Sequence, residues 1–208
     1  MAKRDGVATY ILAGGQSSRM GRDKALLDFG GVPLILHIAS LVQPLTGPPV
    51  IIGRPDRYAN LKLRVIPDDA PGVGPLGGIA TALRDSREPW NLILGCDMPL
   101  LTSEWIAHLI ARALSSDADA IVPQSANGAE PLCAMYRKSC EASIAKAVAR
   151  GVRKVTDGIS ELSIERIEPQ EWREFDSSGL LFRNLNSPRD IEDIAATLER
   201  KYGKVALK

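Results

Sequence analysis

The sequence predicts an α/β fold, a single-domain three-layer sandwich with a mostly parallel, Rossmann-like twisted sheet. Short β-like runs alternate with amphipathic helical patterns, and this alternation is typical of a parallel sheet covered by helices. The chain has 208 residues, of which 45% are apolar and 25% charged, as in ordinary globular proteins. Because no internal repeat or linker interrupts this length, residues 1–208 are expected to form one domain.

The element boundaries follow from prolines, glycines and capping residues. Pro33 suits a first helical turn, Thr102 suits an N-cap, and Gly151 suits the position just after a helix. Ser187 caps the last helix, which should end at Gly203. Strands are expected at residues 8–12, 50–52, 63–66, 91–96, 120–122 and 132–136. Helices are expected at residues 33–45, 103–114, 139–150 and 187–202. Residues 151–179 are the most polar part of the chain and are expected to be its least regular part.

Charge and cysteine usage exclude several classes of function. The 26 Lys and Arg residues nearly cancel the 25 Asp and Glu residues, which argues against a nucleic-acid or membrane-surface binder. No apolar run reaches the ~18 residues that cross a bilayer, and residues 7–13 lack the features of a signal peptide. Cys96, Cys133 and Cys140 form no C-x-x-C pair, so neither a disulfide framework nor a zinc site is expected. We therefore expect a cytoplasmic protein with no nucleic-acid and no membrane partner.

The densest functional signal follows the first predicted strand. It reads Leu12-Ala13-Gly14-Gly15-Gln16-Ser17-Ser18-Arg19-Met20-Gly21-Arg22-Asp23-Lys24. Consecutive glycines let the backbone approach a ligand closely, and their N–H groups can point at a phosphate or a base. Arg19, Arg22 and Lys24 place three cations within six residues, which favours a polyphosphate ligand. The segment matches neither the Walker A motif nor the G-x-G-x-x-G dinucleotide fingerprint.

A second signal is the carboxylate that follows the buried run 91–96. Asp97 would lie at the carboxyl end of a strand, beside the crevice where ligands bind in open α/β sheets. A lone carboxylate facing a polyphosphate needs a cation between them, and Mg²⁺ takes one or two carboxylates plus phosphate oxygens. The alternative is that Asp97 only caps the turn before Pro99.

The remaining candidates are weaker and each has a structural alternative. Asp68 precedes a glycine-dense loop at 72–78 that opens a helix, and it could accept a hydrogen bond from a base or ribose. Glu130, Asn184 and Asn186 lie at the edges of predicted strands and could line the side that binds an acceptor. No Ser, Cys and His arrangement supports acyl transfer, and His37 and His108 fall within helices.

Several of these blocks together resemble one family. The first loop resembles the signature of nucleotidyltransferases that share the nucleotide-diphospho-sugar transferase fold. The order of the blocks along nearly the whole chain is most similar to the molybdenum cofactor guanylyltransferases, which attach GMP to molybdopterin. The downstream blocks are Gly74-Pro75-Leu76-Gly77-Gly78, Cys96-Asp97-Met98-Pro99, Glu130-Pro131-Leu132 and Asn184-Leu185-Asn186-Ser187-Pro188.

This resemblance implies one nucleotidyltransferase domain over residues 1–208, with GTP and molybdopterin as substrates and Mg²⁺ as cofactor. Proteins that deliver molybdopterin or mature molybdoenzymes are implied as partners. Arg19, Lys24 and Asp97 would be catalytic, and Asp97 would hold the metal. The residues implied in nucleotide binding are Leu12, Ala13, Gly14, Gly15, Lys24, Asp68 and Asp97. Gly53 departs from the family, because some relatives have a nucleotide-contacting asparagine there.

Two alternatives stay open at the level of sequence. The same loop and aspartate would serve a cytidylyltransferase that acts on molybdopterin, or an enzyme that activates a sugar or polyol phosphate. A non-catalytic nucleotide-binding regulator would keep the glycines but lose Lys24 or Asp97, and both are present.

Overall fold

A computed structural model describes residues 5–13 and 23–185, together with positions 190 and 194. The strands are β1 (Val7–Leu12), β2 (Asp28–Phe29), β3 (Val32–Pro33), β4 (Val50–Ile52), β5 (Arg64–Ile66), β6 (Trp90–Gly95), β7 (Ala120–Ser125), β8 (Gly128–Ala129), β9 (Cys133–Arg137) and β10 (Ile164–Ile167). The α-helices are α1 (Leu34–Thr46), α2 (Pro55–Tyr58), α3 (Pro75–Asp85), α4 (Ser103–Leu114), α5 (Glu141–Ala149), α6 (Val155–Gly158) and α7 (Pro169–Trp172).

The main sheet is mixed but mostly parallel, as the sequence predicts. Its strands run in the order β10-β7-β9-β6-β1-β4-β5, and β8 pairs with β7 beside this path. β6, β1, β4 and β5 are parallel neighbours, whereas β9 is antiparallel to both β6 and β7. β2 and β3 form a separate hairpin. The four parallel neighbours therefore bring their carboxyl ends to one edge of the sheet.

Helices cover both faces of this sheet and form the three predicted layers. Val7 and Ile11 of β1 point into the core shared with α1 and α4, while Tyr10 and Leu12 point into the core shared with α3 and α5. This alternation is the two-residue period of a strand buried on both faces. Among the described residues, no helix has the length and apolar character that crossing a bilayer requires.

The predicted strands and most predicted helix boundaries are confirmed. The hydroxyl of Thr102 accepts a hydrogen bond from the Trp105 N–H at 3.2 Å and so caps α4. Gly151 follows α5 with a φ of 80°, the left-handed conformation that glycine adopts without strain. The predicted helix at 187–202 begins and runs largely outside the described residues, so its prediction is untested.

Three expectations need correction. Pro33 does not start a helical turn; it ends β3 with a ψ of 138° and stands as the N-cap of α1. The helix predicted at 139–150 opens with the 3₁₀ turn Lys138–Cys140 and becomes α-helical only at Glu141. The polar segment 151–179 is not irregular, because it contains α6, β10 and α7.

Candidate active site

The ends of β1, β4 and β6 meet at the carboxyl edge of the parallel strands. Ala13, the residue after β1, donates its N–H to the Ile52 carbonyl of β4 at 2.8 Å. On the other side, the Cys96 N–H donates to the Leu12 carbonyl at 3.3 Å. These hydrogen bonds continue the strand registers beyond the sheet, and they hold the segment that carries Asp97 beside Ala13.

Asp97 carries a partly buried carboxylate at the end of β6. A Cβ atom on Gly95 would lie 2.9 Å from Asp97 Oδ1, so only glycine leaves room for this orientation of the carboxylate. Desolvation raises the pKa of Asp97, while the charge of Lys24 and the backbone N–H of Asp97 itself lower it. A cation would relieve the cost of keeping it ionised.

Lys24 lies at the start of a short 3₁₀ turn, Lys24–Leu26, next to the same edge. Asp23 caps this turn, because its Oδ1 accepts the N–H of Ala25 at 3.1 Å. The charge of Lys24 lowers the pKa of both Cys96 and Asp97, which places the ammonium group near the end of β6. The structure thus brings together two residues, Lys24 and Asp97, that the sequence separates by more than seventy positions.

The thiol beside this pair is not an activated nucleophile. Burial raises the pKa of Cys96 to about 12, and the carboxylate of Asp97 adds to the rise. Cys96 is therefore protonated at neutral pH. His37 is also engaged, because its Nε2 lies 3.1 Å from the Pro99 carbonyl, and burial lowers its pKa.

Tyr58, which sequence reasoning missed, joins two parts of the edge. Its hydroxyl lies 2.9 Å from the carbonyl oxygen of Ala13 and 2.9 Å from Asp23 Oδ2. The ring lies against Gly53 at the end of β4, where a Cβ atom would be only 2.7 Å from Tyr58 Cε2. The missing side chain at Gly53 therefore leaves room for this tyrosine. A glycine directly after a buried strand was the available signal, but it did not identify the residue that fills the space.

Asp68 follows β5, two strands away from β1, and has a structural role. Its Oδ1 accepts the Ala70 N–H at 3.0 Å and lies 3.2 Å from the hydroxyl of Thr81. This arrangement fixes the loop that leads into α3. Asp69 forms an ion pair with Arg84 instead. The assignment of Asp68 to a base or ribose stays a prediction.

The start of α3 packs directly on the end of β1. A Cβ atom on Gly78 would lie 3.1 Å from Leu12 Cδ1, and one on Gly77 would lie 2.9 Å from the Ala70 carbonyl oxygen. Gly78 therefore allows α3 to pack closely on the end of β1, and Gly77 allows the loop at Ala70 to pack closely on α3.

The acceptor-side candidates Glu130 and Asn184 lie around Asp97. Glu130 Oε1 accepts the Ser125 hydroxyl at 2.6 Å. Burial raises the pKa of Glu130 and the charge of Asp97 raises it further, so the two carboxyl groups are neighbours. Asn184 Oδ1 is buried with no hydrogen-bond partner among the described residues. The next residue, Leu185, donates its N–H to the Asp97 carbonyl at 2.8 Å.

The residues present fit a magnesium ion that is shared with a ligand. Within the described ranges, no group of three or more His, Cys, Asp or Glu residues could hold a metal alone. A single desolvated carboxylate such as Asp97 holds Mg²⁺ when phosphate oxygens complete the coordination. The predicted site residues Gly14, Gly15 and Arg19, and the candidate Asn186, lie outside the described residues.

Solved structures define the class of protein. The chain superposes on molybdopterin-guanine dinucleotide biosynthesis protein A from Archaeoglobus fulgidus with a TM-score of 0.81 and 26% identity, covering 93% of this chain and 99% of that one. The 2-C-methyl-D-erythritol 4-phosphate cytidylyltransferase from Thermus thermophilus, at 14% identity, shares the fold with a TM-score of 0.65, over 92% of this chain and 98% of that one. The fold is that of the nucleotidyltransferases of the nucleotide-diphospho-sugar transferase type.

The sequence comparison narrows this class to one family. The profile of the MobA-like NTP transferase domain matches residues 9–165, so the chain belongs to that family. A relative from Carboxydothermus hydrogenoformans is 35% identical over 184 residues, covering 88% of this chain and 92% of the relative. Another from Methanothermobacter thermautotrophicus is 34% identical over 200 residues, covering 92% and 99%. Both relatives are named probable molybdenum cofactor guanylyltransferase.

Proposed function

We propose that this protein transfers GMP from GTP to the terminal phosphate of molybdopterin, releases pyrophosphate and forms molybdopterin guanine dinucleotide. The observation that carries the proposal is the meeting of Lys24 and Asp97 beside Ala13, at the carboxyl ends of β1 and β6. A cation and a desolvated carboxylate at this position suit a nucleoside triphosphate with Mg²⁺. The family and the names of the relatives support GTP and molybdopterin as the substrates.

The reaction requires no strong general base. A phosphate oxygen of molybdopterin forms a bond to the α-phosphorus of GTP, while the bond from that phosphorus to the oxygen bridging to the β-phosphate breaks. Pyrophosphate leaves with the electron pair of that bond. The attacking phosphate is already anionic at neutral pH, so no side chain has to deprotonate it. The Cys96 thiol, which is protonated at neutral pH, is therefore not needed as a base. The main barrier is the repulsion between two polyanions as they approach in line.

The residues of the edge would offset this repulsion. Lys24 would contact the phosphates and Arg19 would add a second cation, while the backbone from Leu12 to Gly15 would receive the nucleotide. Asp97 would hold Mg²⁺, which supplies Lewis-acid stabilisation of the phosphoryl oxygens when bound. Losing one such contact would cost ~3 kcal/mol of transition-state stabilisation, or about two orders of magnitude in rate.

The acceptor would lie on the side of Asp97 formed by Glu130, Asn184 and Asn186. The buried oxygen of Asn184 lacks a described partner, so an N–H group of the pterin would satisfy it. Glu130 and Asp97 are neighbouring carboxylates, and a shared cation would also ease their mutual repulsion. We place the reaction in the cytoplasm, with molybdopterin supplied by one protein and the product passed to maturing molybdoenzymes.

Incubation of the protein with GTP, Mg²⁺ and molybdopterin tests this proposal directly. Pyrophosphate and a GMP-bearing pterin should appear together, and the Lys24→Ala variant serves as the control. Parallel reactions with CTP, ATP and UTP, and with sugar or polyol phosphates as acceptors, separate the alternative transferases. Turnover with CTP but not GTP would make the protein a cytidylyltransferase. GTP binding in Mg²⁺ without any transfer would identify a nucleotide-binding regulator.

A further inference from the structure

Tyr58 links two segments of the candidate active site that are not adjacent in the sequence. Its hydroxyl lies between the carbonyl oxygen of Ala13, at the end of β1, and Asp23 Oδ2, just before Lys24. The side chain is almost fully buried, with 1% of its surface exposed. The hydroxyl has one proton and two acceptors, the carboxylate and the backbone carbonyl, so it holds both oxygens close to one point by sharing that proton between them.

The same aspartate controls the local structure around Lys24. Asp23 Oδ1 accepts the Ala25 N–H and caps the 3₁₀ turn, while Oδ2 receives the Tyr58 hydroxyl and lies 3.3 Å from Arg57 Nη1. The two oxygens of the Asp23 carboxylate therefore bind different groups. Tyr58 fixes where Asp23 lies, and Asp23 fixes where the turn that carries Lys24 begins.

Gly53 is the third part of this arrangement. A Cβ atom there would come within 2.7 Å of Tyr58 Cε2 and 3.4 Å of the Ala13 Cβ. Because real Cβ atoms do not approach so closely, any larger residue at 53 would displace the tyrosine ring. β4 pairs with β1 in parallel register, so this displacement would occur beside Ala13 itself.

We infer that Tyr58 is a positioning residue that holds Lys24 in register with the end of β1 through Asp23. The inference rests on the proposed function, because it assigns Tyr58 to the placement of the lysine that would contact the nucleotide phosphates. Tyr58 itself touches no substrate. A misplacement of about 1 Å is enough to lower a rate by up to about a hundredfold, so a hydroxyl that sets the position of a lysine has a measurable effect on turnover.

Tyr58→Phe removes the hydroxyl and keeps the buried ring. We expect the variant to lower kcat for GMP transfer by about tenfold to a hundredfold, with a smaller effect on KM, because alignment rather than binding is lost. Combined with Lys24→Ala, it should add no further loss, since it acts through that lysine. Asp23→Ala should lower kcat at least as much as Tyr58→Phe, because it removes both the oxygen near the tyrosine hydroxyl and the oxygen that caps the turn.

Tyr10→Phe is the matched control. Tyr10 is another buried tyrosine whose hydroxyl donates to a carboxylate, Asp85 Oδ2, at 2.8 Å, but that carboxylate ends α3 and is bound by Arg64. This variant should lose a similar amount of thermal stability and keep normal turnover. If Tyr10→Phe and Tyr58→Phe lower turnover equally, or if the losses of Tyr58→Phe and Lys24→Ala multiply, the inference is wrong.

Amide hydrogen exchange separates this inference from the proposed function, because it needs no substrate. In Tyr58→Phe, the amides of Ala25, Leu26 and Leu27 should exchange at least threefold faster, since their hydrogen bonds close the turn that Asp23 caps. The amides of α5 should be unchanged. Unchanged exchange in the turn would overturn the inference even if GMP transfer is found, and faster exchange would support it even if another nucleotide proves to be the substrate.

Discussion

Replacing Asp97 by asparagine should keep or raise the stability of the unliganded protein and abolish its stabilisation by GTP with Mg²⁺. Burial raises the pKa of Asp97 above its ordinary value of 3.8. A carboxyl group whose pKa is higher in the folded chain than in the unfolded chain binds more protons when folded, so folding stability falls as the pH rises through that window. Above that window the cost of the buried charge is present in full. The Asp97→Asn variant keeps the shape and removes the charge.

The two effects of Asp97→Asn have opposite signs. Without ligand, the variant should unfold at a temperature equal to or above that of the wild type at pH 7, and the difference should shrink on acidification. A ligand at 100 times its Kd stabilises a protein by about 2.7 kcal/mol. For a chain of this size that corresponds to a Tm rise of roughly 5 to 10 °C. Mg²⁺ with GTP should produce this rise in the wild type and almost none in the variant.

Thermal unfolding with and without GTP, over a Mg²⁺ titration and after EDTA treatment, measures both effects in one series. Asp69→Asn is the control, because this carboxylate forms an ion pair with Arg84 and the variant should leave the ligand response intact. An unchanged Mg²⁺-dependent shift in Asp97→Asn would remove Asp97 from the metal site. A loss of several degrees in the unliganded variant would refute the argument from the buried charge.

Three further variants test the neighbouring residues. Lys24→Ala should lower turnover by about two orders of magnitude with little change in Tm, since the residue packs outside the core; pyrophosphate release near the wild-type rate would exclude it from catalysis. Gly95→Ala should push the Asp97 carboxylate aside, because the new Cβ would lie 2.9 Å from Oδ1. The variant should therefore need a higher Mg²⁺ concentration for half-maximal activity, and an unchanged dependence of activity on Mg²⁺ would contradict this. Burial lowers the pKa of His37 below 6.5, so this histidine contributes stability above that pH that is lost as the pH falls. In His37→Gln, the stability of the protein should therefore fall less between pH 7.5 and pH 5. Tm measured from pH 7.5 to 5 tests this last expectation, which fails if the two profiles coincide.

The parallel part of the fold was predictable because its strands are buried on both faces. Runs such as 92–96 contain no polar side chain, and that pattern marks the interior strands of a covered sheet. β2 and β3 are two residues long each, so they have no period to detect. β10 reads Ile-Glu-Arg-Ile at the edge of the sheet, and its pairing with β7 comes from tertiary contacts. Local propensity contains no information about such pairing.

The residues of the candidate site also fall into those that the sequence identifies and those that only the structure shows. Asp97 could be found because it follows a buried strand directly, and Lys24 because it closes a loop rich in glycine and cations. Tyr58 could not be found, since it lies in a helix of four residues and its partners are 45 and 35 positions away. Its role exists only once β4 pairs with β1, which brings Gly53 beside Ala13.

Glycine also explains why this edge can be both rigid and closely packed. At Gly53, Gly78 and Gly95 the backbone has no left-handed conformation that would require glycine, yet a Cβ atom at each would press on Tyr58, Leu12 or Asp97. These three glycines are therefore needed for space, not for a turn. Each lies at, follows or faces the end of a parallel strand, so the missing side chains allow neighbouring groups to approach the backbone. The consequence is a specific pattern of sensitivity: alanine at these positions should disturb ligand binding and turnover before it disturbs the core beneath.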